Sequence, residues 1–316
     1  MLSKNAFILK ASRRGRPSPL EALFFCDGGG EFGLGHVVRC HGLAEEFMEN
    51  GYEVELVING TATVDGLPYE NMCGPQLWPN KAAGKLCVID SYTISKNEIE
   101  SIWRLAKSCL WIDDENLRAY PGGTVVNPSL YGSELEYNNP NVRYLLGADY
   151  IILRRAFRKQ VQKTVNRNIN ELTITLGGTD ANSLLLEISG NLSTLGCNKN
   201  IITGSQINLP GYNMLSRLQA EQMSEVFLRS DLVISAGGQT ANELIQMNTP
   251  AILIEAADNQ RNNIRAAVKK GLALTCKPEK ILDTAAKMDY NTRAKLIAAM
   301  EKYDFSNGTK NIVNSL

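Results

Sequence analysis

Short apolar runs alternate along this chain with longer segments whose apolar positions recur at helical spacing. Leu23-Phe24-Phe25-Cys26 reads as a buried strand. Residues 35–50 follow as a helix, with Val38, Leu43, Ala44, Phe47 and Met48 on its apolar side. Gly51 stops that helix, because glycine accepts the left-handed backbone that ends one. Strands follow at 54–58, 86–90, 109–112 and 124–128, with a helix over 96–107. From Arg154 to Asn170 the rhythm breaks, and Arg, Lys, Gln and Asn replace apolar residues. That stretch reads as an interdomain linker, with a basic binding strip as the sharper alternative, since charge runs are usually solvated. The alternation then restarts. Strands are expected at 172–176, 200–203, 231–235 and 250–254. Helices are expected up to about 195, at 223–229, 240–247 and 260–271, and in the tail from 289. Strand–helix alternation of this kind predicts α/β architecture with parallel, doubly wound sheets and a cleft at the strand C-termini.

A length of 316 residues fits two such domains. The expected division is a flexible N-terminal extension over 1–20, a Rossmann-like domain over 21–155, a linker over 156–170 and a second Rossmann-like domain over 171–316. The last helix is expected to pack back on the first domain. The extension carries Lys4, Lys10, Arg13, Arg14 and Arg16 but no apolar core of signal-peptide length. Lys plus Arg equals Asp plus Glu at 33 each, so no global charge draws nucleic acid or an anionic membrane. No apolar stretch reaches the ~20 residues that span a bilayer. The seven cysteines are odd in number and lack zinc spacing, which points to free thiols in a reducing cytoplasm. The expected partner is a small molecule, and the chain itself a monomer or weak oligomer.

Two glycine-rich turns carry the candidate chemistry, one in each half. The first runs Asp27-Gly28-Gly29-Gly30-Glu31-Phe32-Gly33-Leu34-Gly35-His36. The second runs Ser235-Ala236-Gly237-Gly238-Gln239-Thr240, and Gly177-Gly178-Thr179-Asp180 forms a similar turn in the same half. A strand–glycine turn–helix unit offers free backbone N–H groups and a positive dipole end, which suits phosphate. Gly33 and Gly35 let a ligand approach the backbone closely. His36 falls at the helix start, where the dipole disfavours imidazolium and leaves a ring able to accept a proton. It is a general base or a histidine that merely caps the helix. His41, five residues on, leaves the helix in another direction and reads as structural. Glu243, one turn into its helix, either accepts vicinal ribose hydroxyls or offsets the dipole.

These turns, with Val37-Val38-Arg39-Cys40, resemble the UDP-sugar hydrolases of pseudaminic acid biosynthesis and the related spore-coat polysaccharide proteins. Further matches run in order: Asp90-Ser91-Tyr92, Ile112-Asp113-Asp114, Asn127-Pro128, residues 146–154, Gly177 to Asp180, Ser235 to Glu243, and Asn259-Gln260. They cover about residues 22 to 275. The resemblance implies a GT-B fold similar to the MurG glycosyltransferase, with two Rossmann-like domains facing a central cleft. It implies His36 as general base and Tyr92 as a second active-site residue, the alternative being a rim tyrosine. It places Gly33, Gly35, Arg39, Gly177, Gly178, Thr179, Gly237, Gly238, Gln239, Thr240, Glu243, Asn259 and Gln260 on the UDP-sugar. Two features depart from the family pattern: the N-terminal extension, and Phe25-Cys26 before Asp27.

The implied reaction is release of UDP from a diacetamido-trideoxy sugar by inverting water attack. UDP is a good leaving group, so the reaction needs a base, donors for the diphosphate and an oriented sugar. No cofactor and no metal is required, although Mg²⁺ can arrive with the nucleotide. A glycosyltransferase would use the same residues with an acceptor hydroxyl in place of water, and a non-catalytic nucleotide-sugar-binding protein would need no base. Neither turn has the dinucleotide pattern with its later acid, and there is no Gly-Lys-Ser/Thr.

Overall fold

The computed structural model describes residues 20–177, 182–216 and 218–316. Two sheets order these residues, and every strand pairing in them is parallel. The first holds β1 (Leu20–Gly28), β2 (Tyr52–Gly60), β3 (Tyr69–Asn71), β4 (Leu86–Asp90), β5 (Ser108–Ile112), β6 (Gly123–Asn127) and β7 (Val142–Leu146). Their order is β3-β2-β1-β4-β5-β6-β7. The second holds β8 (Glu171–Thr175), β9 (Asn198–Ile202), β10 (Asn213–Leu215), β11 (Leu232–Ala236), β12 (Ala251–Ile254) and β13 (Leu274–Thr275), in the order β10-β9-β8-β11-β12-β13. In each sheet the order reverses at one place, between β1 and β4 and between β8 and β11. A crevice opens where neighbouring strands send their connections to opposite faces. Both glycine turns follow a switch-point strand, β1 in the first sheet and β11 in the second.

The helices are α1 (Gly35–Glu49), α2 (Pro79–Ala82), α3 (Lys96–Leu105), α4 (Asn182–Leu192), α5 (Ala220–Arg229), α6 (Gln239–Gln246), α7 (Arg261–Lys269), α8 (Ile281–Ala286), α9 (Tyr290–Met300) and α10 (Gly308–Val313). Gly51 takes φ 84° after α1, as its stop position requires. Ser95 and Glu98 cap α3 reciprocally, with the Ser95 N–H donating to Glu98 at 2.8 Å. No helix among the described residues is long and apolar enough to cross a membrane.

Strand β1 is buried on both faces, which is why its sequence is a continuous apolar run. Phe24 and Cys26 face α1, where the Phe24 and Phe47 rings meet edge-on at 5.2 Å. Leu23 and Phe25 face the other layer, where Phe25 stacks on Trp78 at 5.1 Å. Burying each such ring stabilises the fold by roughly 1.5–3 kcal/mol. That holds the end of β1, and the turn after it, in place.

The 154–170 stretch is largely exposed, but two of its cations are anchored in the fold. Arg158 donates to Leu153 O at 2.9 Å and to Glu46 at 2.8 Å on α1. Lys163 is half-buried, with its ammonium group on Phe227 O and Ser230 O, both at 2.7 Å, and on Thr249 Oγ1 at 3.0 Å. Arg158 and Lys163 thus anchor the stretch through backbone carbonyls. At the chain's end, α10 adds Ile312 and Val313 to the core over α1. Gly308 starts that helix so close to Ile151 that a Cβ would lie 1.9 Å from its carbonyl oxygen. Gly308→Ala should therefore lower stability by about 1–3 kcal/mol, the usual cost of overpacking. Urea denaturation measures it, and an unchanged midpoint would show that α10 yields freely.

Candidate active site

The first turn divides its glycines by task. A Cβ on Gly29 (φ 82°) would lie 2.6 Å from Ala62 N, and one on Gly28 would strike Val37. These two are small because the chain is crowded. Gly33 (φ 65°) and Gly35 face open space. They leave the start of α1 uncovered, and that helix has no side-chain cap on its first turn. Asp27, wholly buried, wires this turn to the end of β4. It accepts from Asn59 at 2.9 Å, from Ser91 Oγ and the Tyr92 N–H at 2.8 Å each, and from Thr93 Oγ1 at 2.8 Å.

On that support five side chains close a ring. Arg39 donates Nε to Asp90 Oδ2 at 2.8 Å and Nη2 to Asp90 Oδ1 at 2.6 Å. Its Nη1 donates to Asp114 Oδ2 at 2.8 Å. The Tyr92 hydroxyl donates to Asp114 Oδ1 at 2.8 Å. The His36 ring lies edge-on to Tyr92, centroids 4.5 Å apart, and its Nε2 stands 4.0 Å from Asp90 Oδ1. Two carboxylates and one guanidinium leave one negative charge uncompensated, and a proton on His36 would balance it. His36 is only 7% exposed, and its Nδ1 has no hydrogen-bond partner among the described residues. In a site so fully paired, that ring nitrogen is left for a partner that the described residues do not supply.

The ring sets the charge state of its members. Burial pulls the Arg39 guanidinium down, but Asp90 and Asp114 outweigh it and hold Arg39 well above its ordinary value. Burial pushes Asp114 up, yet Arg39 and the Tyr92 hydroxyl bring it below the usual carboxylate range. Burial, then Asp114, raises Tyr92 beyond a normal phenol, so it keeps its proton and donates it. A carboxylate held low adds stability above its unfolded pKa of about 4 and loses it as pH falls through the folded value. Stability should thus fall with pH below about 4 partly through Asp114. Asp114→Asn should flatten that part of the slope, read by urea denaturation across the acid range. An unchanged slope would remove Asp114 as its source.

Arg39, expected on the UDP-sugar, is found bonded to carboxylates through each of its three nitrogens, with one further N–H left on each Nη. His41 bonds Asp65 O at 3.2 Å, away from the ring.

The second turn is also sorted by the structure. A Cβ on Gly237 would lie 2.2 Å from Ile264, so its smallness serves the approach of α7. Its N–H donates to Gln260 Oε1 at 3.3 Å, and its carbonyl accepts from Asn263 at 2.7 Å. Gly237 and Gln260 therefore build the turn and have these groups already engaged. The Gln239 amide is likewise engaged, donating to Ile152 O across the two halves. Gly238 and Thr240 are half-buried at the start of α6, which has no side-chain cap. Gly177 (φ 61°) is open at the end of β8, and Asn259 is exposed before α7. Gly178 and Thr179 lie outside the described residues. Glu243 is fully buried, and Arg154 takes both its oxygens, at 2.7 and 2.8 Å. A ribose could reach it only by displacing Arg154.

Asp90, Asp114 and Arg154 appear in the sequence only as parts of matching stretches, Asp90-Ser91-Tyr92, Ile112-Asp113-Asp114 and residues 146–154, with no role of their own. The two aspartates carried a signal, since each closes an apolar strand run at its C-terminal end. Arg154 carried only its place at the end of the matching stretch 146–154, where a basic run begins.

Comparison with known proteins adds the following. The family model for the glycosyltransferase family 28 C-terminal domain matches residues 153–316. The chain is 26% identical over 234 residues to the Helicobacter pylori pseudaminic acid cytidylyltransferase and UDP-2,4-diacetamido-2,4,6-trideoxy-beta-L-altropyranose hydrolase, covering 72% of this chain and 43% of that protein. It is 23% identical over 284 residues to the Bacillus subtilis spore coat polysaccharide biosynthesis protein SpsG, covering 79% of this chain and 81% of that protein. Against two of the curated relatives it matches, the chain spans about half their length, 57% and 43%. The crystal structure of Acinetobacter baumannii MurG has a TM-score of 0.59 at 15% identity, over 94% of this chain and 99% of that one. The two doubly wound sheets are those of the GT-B fold.

Proposed function

Since the chain belongs to the family of the glycosyltransferase family 28 C-terminal domain, we propose that it is a nucleotide-sugar hydrolase that releases UDP from a diacetamido-trideoxy sugar. The observation that carries this reading is the closed ring of His36, Asp90, Arg39, Asp114 and Tyr92 beside the open glycine turn. In this reading His36 takes a proton from water as the water oxygen bonds to the anomeric carbon. The bond from that carbon to the diphosphate oxygen breaks, and UDP leaves with the electron pair. The attack comes from the face opposite UDP and inverts the centre. The proton ends on His36, where the ring lacks one positive charge. General-base assistance of this kind is worth about 10²–10⁴ in rate. The uncapped start of α6, with Gly238 and Thr240, receives the diphosphate. Asn259 faces the sugar, and Glu243 receives the ribose once Arg154 has moved. The place of such a reaction is nonulosonic acid or surface polysaccharide biosynthesis, in the cytoplasm.

The family match itself favours a second reading, a transferase with an acceptor hydroxyl in place of water. NMR of the purified protein with a panel of UDP-activated amino sugars, without acceptor, separates the two. Free UDP together with an inverted reducing sugar supports the hydrolase. UDP-sugar binding without turnover, followed by turnover when an acceptor is added, would replace it with the transferase.

A further inference from the structure

The connections before and after β6 contain no α-helix, so loops cover that part of the first sheet. They leave a cavity of about 330 Å³ between residues 116–120, residues 136–139 and Tyr144 of β7. None of the five ring residues lines it. Its tyrosines, Tyr120, Tyr137 and Tyr144, belong to the core layer opposite α1. The sheet therefore stands between this cavity and the helix that carries His36 and Arg39.

The walls are tied together. Asp113 accepts from the Asn116 N–H at 2.9 Å and from the Tyr120 hydroxyl at 3.0 Å. The Asn116 amide donates to Glu136 O at 2.6 Å and the Asn139 amide to Tyr120 O at 2.7 Å, which joins the two loops. The Tyr144 hydroxyl accepts from the Asn139 N–H at 3.1 Å and keeps its own proton to donate. Arg118 spends Nη2 on Tyr92 O at 2.6 Å. Other groups of the lining are unspent. The Arg118 Nε and Nη1, the Glu136 carboxylate and the Asn138 amide have no hydrogen-bond or ion-pair partner among the described residues. Arg118 is half-buried, and a partly desolvated cation with unfilled donors favours a ligand that accepts from it.

We propose that this cavity is a second binding site, for a single uncharged sugar ring that carries hydroxyl or acetamido groups. Three properties select that class. Ligand cavities run from about 300 to 1,000 Å³, so one at the small end suits a monosaccharide and is too small for a nucleotide-sugar. Its two charged lining residues, Arg118 and Glu136, are opposite in sign and offer no net field to an ion. Three asparagines and three tyrosines supply most of the rest. Amides and phenols give neutral donors and acceptors that match hydroxyl and acetamido groups. The Tyr137 and Tyr144 rings, centroids 4.8 Å apart, give apolar faces for the C–H side of a sugar ring. This site stands whether or not the ring of His36 hydrolyses a UDP-sugar.

The test is a saturation-transfer NMR titration of the full chain with free N-acetylglucosamine. The sugar should bind saturably, in the millimolar range usual for so small a polar ligand. The double variant Glu136→Ala with Asn138→Ala should weaken that binding by about tenfold, the scale of one hydrogen bond to a charged acceptor. Both side chains are exposed, so the fold and UDP affinity should stay as in the parent, as circular dichroism and calorimetric titration check. His36→Gln should bind the sugar as the parent does. Sugar binding that survives the double variant would overturn the proposal, and its loss in His36→Gln instead would place the sugar in the cleft. The absence of saturable binding by N-acetylglucosamine would also overturn it, as would saturable binding of the zwitterion glycine in its place. A parent that binds the sugar but not UDP would overturn the nucleotide-sugar reading alone.

Discussion

His36→Ala and His36→Gln should each lower turnover of a UDP-sugar by about 10²–10⁴-fold, the range lost with a general base. UDP affinity should change by less than about twofold, because the diphosphate is assigned to the other half of the molecule. The expected pattern is a fall in kcat and kcat/KM together, which identifies an interaction made only in the transition state. The reason lies in the ring. His36 stands 4.0 Å from Asp90, edge-on to Tyr92, where two carboxylates meet one guanidinium. A proton arriving on the imidazole completes the charge balance of groups that are otherwise fixed. Glutamine keeps some of the volume and polarity but cannot take the proton, so it should fail almost as fully as alanine. A folded His36→Gln protein with near-normal turnover would sink the base assignment.

The parts of this design visible in the sequence are those where backbone and burial leave a local mark. The inner residues of β1 and β4, 22–26 and 86–89, are continuously apolar because parallel strands are covered on both faces. The turn after β1 is glycine-rich because Gly29 and Gly33 take positive φ. These marks suffice to place both turns and His36. Other elements leave weaker marks. β7, with Arg143 exposed and Tyr144 half-buried, and the short β3, β10 and β13 lie at sheet edges, where alternation is lost in a few residues. The connections on either side of β6 contain no α-helix, so the alternation that marks the other strands is missing there. The site was legible as motifs and opaque as pairings. Nothing in Val38-Arg39-Cys40 says that the arginine turns inward to two acids, 51 and 75 residues away. Nothing in the stretch around Arg154 says that one cation there closes over Glu243, 89 residues on. Long-range ion pairs have no period, so composition registers them only as charge.

Arg39→Met should therefore behave as a structural lesion at the centre of the site. The side chain is 9% exposed and holds Asp90 and Asp114 at 2.6–2.8 Å. Removing one partner of a buried pair leaves a desolvated charge without compensation, typically at about 3–5 kcal/mol. Here two carboxylates lose the same cation. Urea denaturation should show a loss of that size, and turnover should fall as well, because Asp90 and Tyr92 no longer hold His36 from its two sides. The double variant Arg39→Met with Asp114→Asn removes one of the stranded charges. It should be more stable than the two single losses predict, with a coupling of about 0.5–3 kcal/mol. The alternative role, a guanidinium reaching the diphosphate, predicts the opposite signature. UDP affinity would then fall by tenfold or more, as for a lost charge-assisted bond, and stability would hardly move. These outcomes separate cleanly, since the loss of a buried brace is read in stability and the loss of a ligand contact in UDP affinity. A stable Arg39→Met protein with weakened UDP binding would show that the ring opens in solution and that its closed form is not the one that works.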